Sequence, residues 1–407
     1  MPTRSYYFPK DFKHLEQILW AEQDGFSEEQ AMHFRNLGLP PIPTVGSLPL
    51  FLGISPKTIF SIRGKPRKHY RSFPIRKKDG TPRYIDTPRT YLKVIQWWIL
   101  DNILNHVQIA DNVFGFVSGR SAVQNAEFHL GAAHMLNIDI EQFFPSITID
   151  QIRAIYGSLG YGAEVANLLA ELCCLDDRVP QGAPTSPALA NLVLRDLDKE
   201  LSRLALQTGH KYSRYADDLT FSSSHRIETE FLDAVQTAVE QEGFNLKPGK
   251  TRFSGLGGRM EVTGVVINEK TQPSRVWRRR TRATLHKLGN SPRLTRKNVS
   301  YLLGIKGMAK QFQNSPQMQR FSLDVEQLLE AKSQTVIGKG TRPILPNRLT
   351  IRQAETLAAL APRRTNMEIA MRLETTEAAV KKRLQEAFKK IGVVDRTEAL
   401  NWATHNL

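Results

Sequence analysis

Two adjacent carboxylates, Asp217 and Asp218, stand in the stretch Lys211-Tyr-Ser-Arg-Tyr-Ala-Asp-Asp-Leu-Thr-Phe221. Aromatic and apolar residues lead up to them and a β-favouring Leu219-Thr220-Phe221 follows, which predicts a hairpin with the acidic pair at its tight turn. Neighbouring carboxylates repel, so both stay ionised in a folded protein only beside a cation. A hard divalent ion with oxygen ligands, Mg²⁺ above all, meets that need and is the usual partner of nucleotide phosphates. A solvated Asp-Asp turn is the alternative for such a dipeptide taken alone. A third carboxylate decides between them. Asp139 lies between Ile138 and Ile140, on a short strand otherwise made for burial, where an acid is expensive without a charge partner. Beside Asp217 and Asp218 it would complete a two-metal site for in-line displacement at phosphorus.

Other residues suit the same chemistry. Phe144 lies where the chain leaves the Asp139 strand; it either packs in the core or meets the sugar of an incoming nucleotide and excludes a 2′-hydroxyl. Lys250 is the candidate cation near a leaving pyrophosphate. Asp79-Gly80, between two β-like segments, signals a hairpin whose arms carry Arg76, Lys77, Lys78 and Arg83. That hairpin is either a cationic flap over a triphosphate or an exposed edge kept soluble by its charges. Pro180-Gln181-Gly182 opens a loop into a helix expected from Pro187 to Leu206, with Ser186 as N-cap; such a junction can hold a nucleobase or phosphate against backbone amides. A Gly-bearing loop, Phe114–Ser121, leads into a predicted helix that puts Asn125 and His129 on one face.

The elements around these residues follow from spacing and composition. The 407 residues exceed one ordinary domain, and an apolar share of 41% allows proper cores. Helical spacing runs through residues 1–35, Leu48–Ile62, Tyr91–His106 and Glu228–Gly243, and Arg259–Ile267 reads as a strand pair. Fifty-six Lys and Arg against 40 Asp and Glu leave a net charge of +16, which points to a polyanionic partner, nucleic acid before membrane. The charge is clustered: Arg275–Lys297 carries nine cations and no acid, with Trp277 interleaved. That pattern predicts a phosphate-tracking face with a stacking platform, where a merely solvated helix would mix signs. Cys173 and Cys174 are adjacent in an apolar stretch, as reduced core residues of a cytoplasmic protein would be. The first residues lack a signal-peptide profile, and no apolar run is long enough to span a membrane.

Taken in order, the hairpin at 70–88, the Asp139 strand, Pro180-Gln181-Gly182, Tyr215-Ala216-Asp217-Asp218 and Lys250 resemble a reverse transcriptase over residues 70–267. Asn125-Ala126-Glu127-Phe128-His129 and Val262-Thr263-Gly264 are similar to the signatures of its retron branch. The resemblance implies an α+β right-hand polymerase: an N-terminal helical extension (1–47), fingers (48–135), palm (136–270) and a basic helical thumb (271–332). It implies an RNA-directed DNA polymerase that binds its own structured noncoding RNA, starts from the 2′-hydroxyl of an internal guanosine, and stays on the branched RNA–DNA product. Members of that branch work with an effector or toxin protein in anti-phage defence.

Carried onto this chain, Asp139, Asp217 and Asp218 would hold two Mg²⁺, with Mn²⁺ as a substitute and the Ile140 carbonyl as a further ligand. Lys77, Lys78 and Arg83 would face the dNTP triphosphate, Lys250 the pyrophosphate and Gln181 the nucleotide, and Phe144 would be the sugar gate. Asn125, His129, Val262, Thr263 and Gly264 would serve RNA or primer contacts, joined by Trp277, Arg278, Arg279, Arg280 and Arg282. Two alternatives stand beside this reading. One is a bacterial reverse transcriptase of the abortive-infection or untemplated kind, which would not need the Asn-Ala-x-x-His signature. The other is a DNA-binding regulator with a non-catalytic polymerase scaffold, against which the intact Asp triad argues.

Retron enzymes usually end soon after the thumb. Here residues 333–346 read as a linker and 347–407 as a small all-α domain: Leu349–Leu360 capped by Thr350, Asn366–Leu373, Thr376–Lys390 and Arg396–His405. The set resembles the LuxR-type helix-turn-helix, including Lys390-Ile-Gly-Val393 and Asp395-Arg-Thr-Glu-Ala-Leu400. In that family the third helix enters the major groove, which would place Ala379, Lys381, Lys382 and Gln385 near DNA. Ala361-Pro-Arg-Arg-Thr365 replaces the family's Gly-containing turn, and a protein dock is the alternative role.

Overall fold

The computed structural model describes residues 27–76, 80–247, 249–291, 293–312, 314–332, 336–337, 349–361, 364–373 and 375–406. The expected flap cations Lys77 and Lys78 lie outside the described residues, as do residues 1–26 and most of the expected linker. The chain divides into two compact units, residues 1–278 and residues 279–407.

The first unit opens with short helices. The single helix expected over Leu48–Ile62 is two, Ser47–Leu52 and Pro56–Gly64: Gly53 ends the first in the left-handed region at φ 62, and Ser55 caps the second ahead of Pro56. Strands β1 (Tyr70–Arg76) and β2 (Pro82–Pro88) pair antiparallel as the expected hairpin. The helix Thr90–Asn102 buries Leu92, Ile95, Trp98 and Ile99, and Leu104–His106 continues as a 3₁₀ turn.

Four strands form the central sheet: β3 (His134–Asp139), β4 (Lys211–Tyr215), β5 (Asp218–Ser223) and β6 (Arg252–Gly255), all antiparallel in the order β4-β5-β3-β6. Leu136, Ile138, Leu219 and Phe221 are fully or almost fully buried and join the core of the unit. The outer edge of β4 is bridged at Arg214, whose N–H donates to Asn112 O at 2.9 Å and whose carbonyl accepts from Phe114 N–H at 2.8 Å. Cys173 and Cys174 are buried free thiols, and burial pushes the Cys173 thiol up to about 11.

The helix expected from Pro187 to Leu206 breaks in two, Ser186–Val193 and Arg195–Gln207. Leu194, fully buried, caps both, and the step lets Asn191 and Asp198 reach the same guanidinium. Ser186 is not the N-cap: its hydroxyl donates to Pro180 O at 2.7 Å and ties the loop to the helix start.

Beyond the sheet come β7 (Glu261–Val262), β8 (Val265–Val266) and β9 (Gln272–Pro273), a small antiparallel sheet. The basic helix Arg275–Gly289 spans the division between units. In the second unit, Thr295 caps the helix Arg296–Lys310, and Pro316–Ala331 packs along it. Lys332 Nζ donates to Leu288 O and Gly289 O, closing the carbonyl end of the basic helix. Within the expected linker, Val336–Ile337 pairs in parallel with Leu294–Thr295.

The last helices are Ile351–Ala358, Asn366–Arg372, Glu377–Ile391 and Arg396–Asn406. Capping boxes at Thr350/Gln353 and Thr365/Glu368 start the first two. Leu357, Ile369, Val380, Leu384 and Ala399 make their shared core. No helix among the described residues is long and apolar enough to cross a membrane.

Candidate active site

The sheet register brings the three acids together. β3 and β5 pair so that Asp139 lies directly opposite Asp218. Tyr215 pairs with Asp218 across β4 and β5, leaving Ala216 and Asp217 as a two-residue turn. Ala216 takes φ 58, a left-handed conformation that strains a residue with a Cβ by about 1–3 kcal/mol and persists only where surroundings hold it. Asp217 O accepts from Ile140 N–H at 2.9 Å, which ties the turn to the end of β3.

Burial and mutual repulsion dominate the electrostatics. Burial, then the charges of Asp217 and Asp139, push the Asp218 carboxyl up to about 7. Burial and Asp139 also raise Asp217, opposed by its own amide, Lys250 and Arg83. Such a cluster demands positive charge. In this structure Lys250 supplies part of it by donating its ammonium to Asp139 Oδ2. Burial disfavours that ammonium, yet Asp139, Asp217 and Asp218 hold its pKa above the ordinary lysine value. It arrives there because Lys247 N–H donates to Asp139 O and Glu141 N–H to Asn245 O, laying the 245–247 segment beside the end of β3. Among the described residues no three or more acidic, His or Cys side chains are disposed to hold a metal ion as they stand. The donor set of three converging carboxylates is nonetheless all hard oxygen, the kind a divalent Mg²⁺ takes with water and phosphate completing its shell.

Two buried features hold the turn from behind. Arg214 pairs with Asp198 and donates through Nη1 to Asn191 Oδ1 at 2.9 Å and to Ala216 O at 3.3 Å. Asn191 Nδ2 donates in turn to Gly115 O at 2.9 Å. Gly115 itself lies so close that a Cβ there would stand 2.3 Å from Ala216 N and 2.9 Å from Tyr215 C. Neither Arg214 nor Gly115 stands out from sequence alone.

A cavity of about 350 Å³ is lined by residues that include Lys93, Trp97, Phe116, Phe144, Gly182 and Pro187. Phe144 is half-buried, and its ring centre lies 6.0 Å from that of Phe116. Gly182, at φ 130, has no room for a side chain, because a Cβ would meet Ile85 Cγ2 at 2.8 Å. Gln181 O accepts from Asp86 N–H at 2.9 Å, so the 180–184 loop is docked on β2. Arg83 is exposed on β2, within electrostatic reach of Asp217. Sequence reasoning names the Gly-bearing loop Phe114–Ser121 but not Phe116 within it, which takes a positive φ of 63.

Other expected contact residues lie elsewhere. Asn125 and His129 are both fully buried and bonded within the protein, not presented outward to RNA or primer. Their common face is turned to the sheet, which the four-residue spacing alone does not reveal. Val262 is likewise fully buried, Thr263 half-buried, and of the three only Gly264 is exposed. On the basic helix Arg279, Arg280 and Arg282 are exposed, while Trp277 and Arg278 are half-buried. On the helix Glu377–Ile391, Lys381, Lys382 and Gln385 are exposed and Ala379 is half-buried.

The family model described as "Reverse transcriptase (RNA-dependent DNA polymerase)" matches residues 75–302. The chain is 37% identical over 278 residues to the Retron Mx65 reverse transcriptase of Myxococcus xanthus; the match covers 62% of this chain and 65% of that protein. It is 36% identical over 256 residues to the Retron Ec86 reverse transcriptase of Escherichia coli, covering 62% of this chain and 80% of that protein. The chain thus spans 65% of the length of the first and 80% of the second. A third relative, the Probable csgAB operon transcriptional regulatory protein of Salmonella typhimurium, is 46% identical over 59 residues, 14% of this chain and 27% of that protein.

Proposed function

The chain belongs to the reverse transcriptase family, and from that membership we propose that it is a retron-type RNA-directed DNA polymerase that self-primes on a structured noncoding RNA. One observation carries the reading: Asp139 and Asp218 are register partners with Asp217 at the adjoining turn, an acidic cluster whose mutual repulsion favours a bound cation. Asp139, Asp217 and Asp218 would hold two Mg²⁺ (or Mn²⁺), with Ile140 O as a further ligand. When bound, the metal activates the attacking hydroxyl and neutralises charge on the phosphates. Arg83 and Lys250 supply cations to the triphosphate side, and Lys77 and Lys78 would join them. Lys250, paired with Asp139 in this structure, would compete with the metal for that carboxylate. Gly182, Ala183 and Pro184 of the docked loop form one wall of the cavity, Gln181 beside them would meet the nucleotide, and Phe144 meets the sugar there. The RNA 2′-hydroxyl is the first nucleophile, and the enzyme keeps the branched product.

The exposed cations Arg279, Arg280 and Arg282 suit the phosphates of the template RNA or its DNA copy. Under the same reading the protein works in the cytoplasm beside an effector protein in anti-phage defence. The four C-terminal helices form a helix-turn-helix whose Lys381, Lys382 and Gln385 face nucleic acid; their exposure and the short match to a transcriptional regulator favour that role over a protein dock.

The test is to purify the protein from cells carrying its native locus and to analyse the nucleic acid that comes with it. A discrete short DNA, shifted by RNase and absent from Asp217→Ala, is expected. RNA-free DNA of random length would move the assignment to an untemplated synthesiser, and no DNA from either protein would overturn it.

A further inference from the structure

Asn125 and His129 are both 0% exposed. RNA contact through either side chain would require the helix Ala122–Phe128 to leave the sheet. What they touch is the hairpin that ends in Asp217 and Asp218. His129 Nε2 lies 2.7 Å from Ser213 Oγ on β4, and Nδ1 lies 2.7 Å from Ser222 Oγ on β5. Ser213 pairs with Thr220 and Ser222 with Lys211, so the two serines are diagonal neighbours on one face of the hairpin. The imidazole spans that diagonal.

The protons in this network follow from one bond. Ser213 donates its hydroxyl proton to Asn125 Oδ1 at 2.5 Å. A hydroxyl has a single proton, so toward His129 it accepts, and Nε2 carries the hydrogen. Nδ1 is then the bare nitrogen and accepts from Ser222. The chain therefore runs Ser222 to His129 to Ser213 to Asn125 Oδ1, while the buried Asn125 Nδ2 has no partner. A neutral ring is required throughout, and burial with Lys211 nearby pushes the His129 pKa down to about 3.

The helix is gripped at both ends. Thr263 Oγ1, in the Val-Thr-Gly turn, donates to Ala122 O at 3.1 Å. Lys211 Nζ, at the base of β4, donates to Phe128 O at 3.0 Å and lies 5.7 Å from the centre of the Phe128 ring. The two short signatures, far apart in sequence, meet on this helix. Arg214 and Tyr212 occupy the opposite face of β4, so the catalytic hairpin is clamped on both sides by buried polar groups.

We propose that Asn125 and His129 are positioning residues, which fix the Asp217–Asp218 hairpin against the helix Ala122–Phe128 and never touch RNA, while Thr263 anchors that helix. The inference rests on the reading that the acidic hairpin is catalytic.

Four variants test it: His129→Ala, His129→Gln, the pair Ser213→Ala/Ser222→Ala, and Thr263→Val. Each is assayed on poly(rA) primed with oligo(dT), for kcat and KM with dTTP and for Kd of the primed template. A displacement of about 1 Å at a reacting centre lowers rate about 100-fold. His129→Ala and the double serine variant are therefore expected to lose about 10- to 100-fold in kcat, with Kd within about twofold of wild type. His129→Gln, which keeps one donor and one acceptor, should recover most of the loss, and Thr263→Val should lose in the same direction by less. A Kd that rises in step with lost activity would overturn the proposal in favour of RNA contact. A lowered melting temperature with kcat unchanged would reduce the network to a structural role and overturn it too. If His129→Ala does not fold, His129→Gln and the serine pair decide. Imidazole ¹⁵N shifts of the wild type give a readout free of catalysis. The neutral Nε2–H form at neutral pH is expected, and a charged or solvent-exchanging ring sinks the network even if the wild type makes no DNA. Wild-type inactivity with the expected tautomer would instead count against the polymerase assignment.

Discussion

Arg214 and Asp198 form a bidentate ion pair, at 2.8 Å and 2.6 Å, with side chains 0% and 2% exposed. The pair stabilises less than its geometry suggests, because two charges had to be desolvated to make it. Its role is directional: the remaining guanidinium nitrogen reaches the turn carbonyl Ala216 O and Asn191. Removing one member of such a pair costs about 3–5 kcal/mol by leaving a buried charge alone. Asp198→Ala should accordingly lower the urea midpoint sharply and abolish DNA synthesis. The paired Arg214→Met/Asp198→Leu variant should recover most of the stability yet stay inactive, since an apolar pair cannot hold Ala216 O. Recovery of activity along with stability would show that the turn needs no guanidinium.

The raised Asp218 pKa, about 7, predicts a competition between proton and metal. Below that pH Asp218 keeps its proton, so Mg²⁺ affinity should fall as pH drops through about 7 and level off above it. The stability sign runs the other way without metal. A carboxyl raised from 3.8 binds more protons folded than unfolded, so in EDTA the melting temperature should fall as pH rises from about 4 to about 7. His129, whose pKa is lowered from 6.5, opposes this by losing stability below about pH 6.5, and is silent above it. Melting curves at about pH 6.5 and about pH 8, with EDTA or Mg²⁺, isolate the acidic term. Mg²⁺ should stabilise more at the higher pH, and Asp218→Asn should remove the difference.

The basic helix makes a salt-dependence prediction. Replacing Arg278, Arg279 and Arg280 by Gln should weaken RNA binding and lower the slope of log Kd against log salt, by about 0.7 for each single-strand phosphate that is no longer neutralised. Arg279 and Arg280 are the exposed members, so the pair alone should account for most of the change. Filter binding over a salt series measures this, and an unchanged slope removes the helix from the nucleic-acid face.

The acidic centre was legible in the sequence because each of its members breaks a local rule. Asp139 is an acid between two isoleucines, and Asp217 and Asp218 sit at a turn between β-formers. Arg214 and Asp198 do not stand out in this way, because Lys211 puts a second cation on the same strand and Asp198 sits on an amphipathic helix, and only the three-dimensional step at Leu194 brings them together. For Asn125 and His129, the four-residue spacing establishes a shared face but not its direction, and a polar face that reads as outward is bonded to serines within the sheet. Lys250 illustrates a third limit. Its charge marks it for the site, but which anion it meets depends on whether Asp139 already has another cation.

Gly115 bears on any attempt to harden this protein by design. Its φ is not positive, so by backbone angle alone it is a candidate for the Gly-to-Ala exchange that commonly adds about 0.4–1 kcal/mol by restricting the unfolded chain. Survey methods that score conformation, or import the commoner residue, would select it. The methyl would land inside the Tyr215–Ala216 peptide, where nothing is a flexible side-chain end that can swing away. Thermostabilising libraries should therefore hold this position fixed and look for entropy elsewhere. At Gly243 and Gly249 a new Cβ meets no atom, but their left-handed φ of 81 and 75 disfavours Ala. Helical Gly64, Gly157, Gly289, Gly304 and Gly307, with open space and no left-handed φ, are better places for substitution.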